Sequence, residues 1–124
     1  MSIYAILSPL QTNASQADIR GLIRDKAIEH HQSVYLALSI AQCESSFVVK
    51  AKNPNSTAKG IFQFLNSTWK RTLERMDLPT NTSVFNPEVH IEAAMWLLEH
   101  DGTRHWLESK PCWKDAEKGL LAVK

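Results

Sequence analysis

Residues 34–65 read VYLALSIAQCESSFVVKAKNPNSTAKGIFQFL, and the fold turns on a change of character inside this stretch. Val34, Leu36, Ala37, Leu38, Ile40 and Ala41 are apolar almost all round a helical wheel. A helix of that kind is normally buried. Ser33 supplies a capping hydroxyl at its start. The pattern ends near Glu44-Ser45-Ser46. After Phe47 come lysines, the turn signal Asn53-Pro54-Asn55-Ser56 and then Gly60. This composition predicts a loop, with room for a short irregular hairpin. Ile61-Phe62-Gln63-Phe64-Leu65 closes the stretch as a brief apolar run around one Gln.

Helical spacing continues on both sides. Upstream, Ile19, Leu22, Ile23, Ala27 and Ile28 recur at that spacing and predict a first helix over about 16–30. Ser15 with Asp18 forms a capping-box-like start for it, which leaves residues 1–14 as an irregular lead-in. Downstream, Asn66 or Ser67 can cap a helix over about 67–76, before Pro79 and Asn81 break the chain. Asn86, Pro87 and Glu88 form a strong start for another helix, which stops near Gly102. The remainder, with Pro111 and Trp113, predicts one or two short helices. The expected architecture is a single compact, mainly α domain of about five to seven helices, residues 15–124, with a small loop or β excursion.

Composition bounds the function. At 124 residues, with 44% hydrophobic and 22% charged residues, the chain is one ordinary globular domain. Lys+Arg 14 against Asp+Glu 13 leaves no basic field to hold nucleic acid. No apolar run approaches the ~18 residues of a membrane span. Met1 to Ala14 lacks a basic n-region and a full h-region, so no signal peptide is expected there. Cys43 and Cys112 fit one disulfide or two buried thiols. His30, His31, His90, His100 and His105 form no tight ligand pattern, so neither a metal nor another cofactor is expected. Of the four Trp, Trp69, Trp96 and Trp113 read as core anchors, and Trp106 as the best candidate for an exposed sugar-stacking ring.

Glu44 is the sharpest chemical feature. It follows a buried helix and precedes a polar loop, so its carboxyl lies at the rim of the core. Partial burial disfavours the charged form and raises the pKa, as a general acid working near neutral pH requires. A second carboxylate would suit a water-using mechanism. Glu74, Asp77 and Asp101 are present, but no spacing sets any of them opposite Glu44, and each reads first as a solvated helix charge.

Taken together, Glu44-Ser45-Ser46-Phe47, Asn53-Pro54, Ser56-x-Ala58-x-Gly60-Ile61-Phe62-Gln63 and Thr68-Trp69 resemble the lytic transglycosylase family of the lysozyme superfamily. A weaker match follows. His90-Ile91, Ala94 and Leu97-Leu98 stand where the family has Asn-Ile, Gly and Tyr-Leu. The family's later Tyr-Asn motif has no counterpart, and the loop holding Ser56 is one residue longer than the family pattern. The resemblance covers roughly residues 34–101. It implies a lysozyme-like α+β fold and cleavage of the β-1,4 bond between N-acetylmuramic acid and N-acetylglucosamine in peptidoglycan. Glu44 would be the single acid and base, the sugar's own N-acetyl group would stabilise the cationic centre, and a 1,6-anhydro ring would form. Gln63, Ser45, Ser56, Gly60 and Phe62 would contact or frame the substrate. The implied setting is the bacterial cell wall, in the periplasm, outside the cell or on a virion. Partners in a virion or secretion apparatus are compatible with it. A hydrolytic muramidase and a non-catalytic glycan-binding or scaffold domain are the alternatives.

Overall fold

Ser33 does start the predicted helix, its Oγ accepting from the Leu36 N–H at 3.1 Å, but that helix is only partly buried, with Ala37, Ile40 and Ala41 in the core and Tyr35 and Gln42 exposed. In the computed structural model, which describes the backbone of residues 3–117 and the side chains of residues 16–116, five α-helices follow one another. They are α1 (Ile3–Glu29), α2 (Val34–Ser45), α3 (Asn66–Arg75), α4 (Pro87–Asp101) and α5 (Lys110–Glu117), with a 3-10 helix, Arg104–Ser109, leading into α5. The chain is mainly α, as the apolar spacing predicts. The excursion between α2 and α3 contains only isolated antiparallel bridges, Lys52 with Lys59 and Lys59 with Phe64.

Helix α4 runs through the middle of the fold and packs on α1 and α3, while α2 packs on α1 and α5. Small residues permit the close approach: Ala27 of α1, Ala37 and Ala41 of α2, and Ala93 and Ala94 of α4 are fully buried. Ile23, Ile40, Met95 and Trp113 fill the space between them. The cap read at Asn86 is present, its Oδ1 accepting from the Val89 N–H at 3.2 Å, and Gly102 ends the helix with its N–H on the Leu98 carbonyl.

Two boundaries depart from expectation. The backbone of residues 3–14 is helical and continuous with the first helix, so Ser15 lies inside α1 rather than capping it. No Gly or Pro separates Ser15 from Leu10, and nothing in that stretch compels a stop. Helix α3 has Leu65 at its N-cap and no side-chain cap. Asn66 is drawn to the loop instead: its N–H donates to Thr57 Oγ1 and its Oδ1 accepts from Lys59 Nζ. Ile28, read as part of the apolar stripe of α1, is 58% exposed.

Cys43 and Cys112 form a disulfide with Cα atoms 6.1 Å apart, inside the range two cysteines require. The bond joins α2, one residue before Glu44, to α5.

A charged cluster pins the end of α1 to α4. His30 Nε2 meets Glu92 at 2.6 Å and His30 Nδ1 meets Glu99 at 2.7 Å, while Lys26 Nζ reaches Glu92 at 3.1 Å. Both imidazole nitrogens face carboxylates, so both must donate, and only the imidazolium can do so. Burial opposes that charge, but the Glu99 and Glu92 hydrogen bonds outweigh it and raise the His30 pKa. A raised folded pKa gives stability that is fully present below the unfolded value of about 6.5 and is lost as pH rises through the folded value. The melting temperature should therefore fall as pH is raised above about 6.5. His30→Gln should flatten that decline, as checked by thermal circular dichroism at several pH values. An equally steep decline in the variant would remove His30 as its source.

Candidate active site

Glu44 is the penultimate residue of α2, and the chain turns sharply just after it. Ser46 and Phe47 adopt left-handed backbone conformations with φ of 54° and 66°. Each costs about 1–3 kcal/mol and persists only where packing over-determines it. Here Phe47 is buried and the Ser46 N–H donates to the Gln42 carbonyl. Ser45 ties this turn to the loop: its Oγ donates to the Ile61 carbonyl at 2.7 Å and accepts from the Val48 N–H. The end of α2 and the Gly60–Gln63 turn are thereby held in register.

The loop is built from short polar closures. Asn53 Oδ1 accepts from the Asn55 N–H, and Ser56 Oγ accepts from the Ala58 N–H. Lys59 and Phe64 exchange backbone hydrogen bonds, and the Gly60 N–H donates to the Ala51 carbonyl. Gln63 is left-handed, with φ of 54°, and its Nε2 donates to the Gly60 carbonyl at 2.9 Å.

His90 supports this turn from beneath. It is 1% exposed, its Nε2 accepts from the Phe62 N–H at 2.9 Å, and its Nδ1 donates to the Val84 carbonyl at 2.7 Å. That pairing fixes the neutral tautomer, and burial lowers its pKa to about 4. The rings of Phe64 and Trp69 pack against it. Gly60 lies over the imidazole with φ of +84°, and a Cβ there would come within 2.4 Å of His90 Cε1. Both the backbone angle and the collision penalise a side chain. Gly60→Ala should destabilise the protein by at least about 2 kcal/mol in urea unfolding. Gly21→Ala, in the middle of α1 with nothing nearer than 3.6 Å, should gain about 0.5–1 kcal/mol. Equal stability of the Gly60 variant and the wild type would show that His90 yields freely.

A groove of about 470 Å³ opens between this loop and the 3-10 helix. Glu44 and Gln63 both line it, with Asn53, Ser56, Trp106 and Glu108. A smaller recess adjoins it past Gln63, lined by Phe62, Thr68 and His105 among others. Of the six residues singled out by sequence, Glu44, Gln63 and Ser56 therefore meet in the groove. Phe62 borders the adjoining recess. Gly60 and Ser45 frame the loop without lining either space. A separate recess of about 320 Å³, lined by Tyr35, Phe47 and the disulfide, carries no carboxylate.

Glu44 is half-buried. Burial raises its pKa, the hydrogen bond from Ser109 works in the opposite direction, and the charge of Glu108 adds to the rise. Ser109 Oγ donates to Glu44 Oε2 at 2.5 Å, and Trp113 Nε1 donates to Ser109 Oγ at 2.9 Å. Trp106, the best candidate among the four Trp for an exposed ring, is 4% exposed and its Nε1 donates to the Phe62 carbonyl, so it edges the groove as a buried wall. Its indole has a better use, since it joins the 3-10 helix to the Gly60–Gln63 turn. Asp101 is committed elsewhere. It bonds both Arg75 terminal nitrogens and His105 Nε2, and Arg75 foremost holds it well below the usual carboxylate range. Glu74 and Asp77 are exposed and line neither space.

Sequence reasoning missed Ser109, Trp113 and Glu108. Ser109 lies 65 residues from Glu44, and no local pattern links them. The one available signal was the cysteine pair. Cys43 adjoins Glu44 and Cys112 lies three residues after Ser109, so a bond between them brings the two segments together. Among the described residues no group of three or more His, Cys, Asp or Glu side chains is placed to hold a metal ion. Nor is any described helix long and apolar enough to cross a membrane.

Residues 21–106, more than half of the chain, match the family described as Transglycosylase SLT domain. No curated protein and no solved structure matches the chain. The matched span carries Glu44 and the loop wall of the groove, with the Gly60–Gln63 turn and its supporting His90, while Glu108 and Ser109 on the facing wall lie beyond it. With a family match of that extent, the chain belongs to the transglycosylase SLT domain family, whose members act on peptidoglycan.

Proposed function

We propose that this protein is a peptidoglycan lytic transglycosylase that cleaves the N-acetylmuramic acid β-1,4 N-acetylglucosamine bond with Glu44 as acid and then base. The observation that carries the reading is a half-buried carboxyl, raised in pKa by its burial, at the same groove as Gln63. Protonated Glu44 gives its proton to the glycosidic oxygen as the C1–O bond breaks. The substrate's N-acetyl group stabilises the cationic carbon. Ionised Glu44 then takes the O6 proton as the C1–O6 bond forms. Atoms balance without water, and the carboxyl ends protonated as it began. One carboxylate serves because the two steps are sequential, a departure from the two-carboxylate scheme of most glycosidases.

The amide nitrogen of Gln63 is engaged by the Gly60 carbonyl, so its carbonyl oxygen is the group offered to an N-acetyl N–H. Ser56 and Asn53 supply polar contacts on the loop wall. The functional unit extends past residue 106 to at least Trp113, since Ser109 and Trp113 support Glu44. A disulfide suits an oxidising compartment, and hence work at the cell wall. Export, a virion or a secretion apparatus would each serve to deliver the protein there.

Glu108, in the same groove, gives the hydrolytic alternative its one support. It comes from the same segment as Ser109 and adjoins Glu44, whereas a base for attacking water belongs on the opposite face of the sugar. Mass spectrometry of muropeptides released from purified peptidoglycan decides between the two. Anhydro products, one water lighter than reducing ends, are expected. Reducing ends alone would replace the reading with that of a muramidase.

A further inference from the structure

We infer that Ser109 is a positioning residue whose hydroxyl turns between two acceptors, the Glu44 carboxylate and the Trp106 carbonyl, and so matches Glu44 in both of its proton states. The inference rests on the proposed acid–base role of Glu44. The family match ends at residue 106 and so assigns Ser109 nothing.

A serine hydroxyl has one proton and two lone pairs. Trp113 Nε1 can only donate, and at 2.9 Å it occupies one lone pair. One proton and one lone pair remain for two neighbours, Glu44 Oε2 at 2.5 Å and the Trp106 carbonyl at 3.1 Å. With Glu44 ionised, the Ser109 proton points to Oε2. With Glu44 protonated, Oε2–H donates to the free lone pair and the Ser109 proton turns to the Trp106 carbonyl. Every donor finds an acceptor in each arrangement, and no heavy atom need move. Lysine or arginine at this position could only donate and would hold Glu44 ionised. A bare carbonyl could only accept and would hold it protonated. A catalyst that alternates between acid and base needs a neighbour that does both.

Placement supports the assignment. Ser109 ends the 3-10 helix, Trp113 is 1% exposed in α5, and the disulfide at Cys112 fastens that segment to the residue before Glu44. The titratable groups lining the groove beside Glu44 are Glu108 and His105, both from the 3-10 helix, and the loop wall contributes none.

The test is a carbon-detected NMR titration of the Glu44 carboxyl, assigned by its loss in Glu44→Gln, alongside the pH–rate profile on purified peptidoglycan. Ser109→Ala should raise the Glu44 midpoint, because the ionised form loses its donor. The basic limb of the rate profile should move with it, and kcat should fall about tenfold or more with little change in KM. Ser109→Thr keeps the hydroxyl and should restore both. Trp113→Phe, which keeps a ring but removes the donor, should raise the midpoint by less, since an unpolarised hydroxyl donates more weakly. Glu108→Gln should lower the midpoint and leave the Ser109 effect in place. An unmoved midpoint in both Ser109→Ala and Trp113→Phe would overturn the inference even if activity fell, because the role would then be purely structural. A wild type that cleaves no glycan, yet shows the midpoint shift, would defeat the proposed reaction and leave the Ser109–Glu44 coupling standing.

Discussion

Glu44→Gln should leave a folded protein that no longer releases muropeptides. The amide keeps the shape of the side chain and an oxygen that can accept from Ser109. It cannot protonate the leaving oxygen or receive the O6 proton. General acid–base catalysis is typically worth ~10²–10⁴-fold, and here one group serves both steps, so the loss belongs at the upper end or beyond. The stability consequence has a definite sign. Burial raises the folded pKa of Glu44 above its ordinary 4.5. Its protonated form therefore adds stability that is fully present below the unfolded pKa and is lost as pH rises through the folded one. At neutral pH the variant should melt at or above the wild-type temperature, and at acid pH the two should converge. Intact glycan should still bind, since Gln63 and the loop wall remain. Turbidity loss of a peptidoglycan suspension, read beside circular dichroism, checks both halves. Wild-type clearing by a well-folded Glu44→Gln protein would remove Glu44 from the mechanism and take the assigned reaction with it.

What the sequence disclosed followed the range of the interactions involved. The start of α4 was legible because Asn86, Pro87 and Glu88 act within one turn, whereas α2, read as buried all round, is fully buried only at Ala37, Ile40 and Ala41 and exposes Tyr35 and Gln42 on its polar face. Glu44 and Gln63 were legible as a pair through the resemblance of their two motifs to the family pattern, and both line the groove. Where a tertiary partner outbid a local one, the reading failed. Asn66 looks like a helix cap but serves the loop through Thr57 and Lys59. Ser15 looks like a helix start but the backbone runs through it. His90, standing at a family asparagine, is a neutral core residue beneath Gly60. Trp106, flanked by Arg104 and His105, is the best of the four Trp for an exposed ring, yet its N–H is anchored on the Phe62 carbonyl 44 residues away. Ser109 carries no local signal at all. Its meaning depends on a chain crossing that only the disulfide hints at.

That disulfide carries the second large expected effect. Cys43 and Cys112 are separated by 69 positions, and a closed loop of that length is worth about 4 kcal/mol in the chain-entropy model. Against a total stability of about 5–15 kcal/mol for a small domain, this is a large share. The segment it holds packs on α2 and on the 3-10 helix but is short. Helix α5 has 8 residues, well short of the roughly 12–15 at which an isolated helix becomes even marginal. Among its described residues, Trp113 and Ala116 are buried, and the bond adds to their anchorage. Reduction should therefore lower the melting temperature by on the order of 15 °C. A protein with both cysteines replaced by serine should melt at the reduced value and ignore reductant. Activity should fail before the fold does, because releasing α5 frees Trp113 from Ser109 and Ser109 from Glu44, while α1 to α4 keep their own contacts. Mild denaturant with reductant should then abolish glycan cleavage at a concentration where most of the helical signal persists. Melting unchanged after thiol titration has confirmed full reduction would show that packing alone holds α5 on α2. It would also remove any reason to tie the active groove to an oxidising compartment.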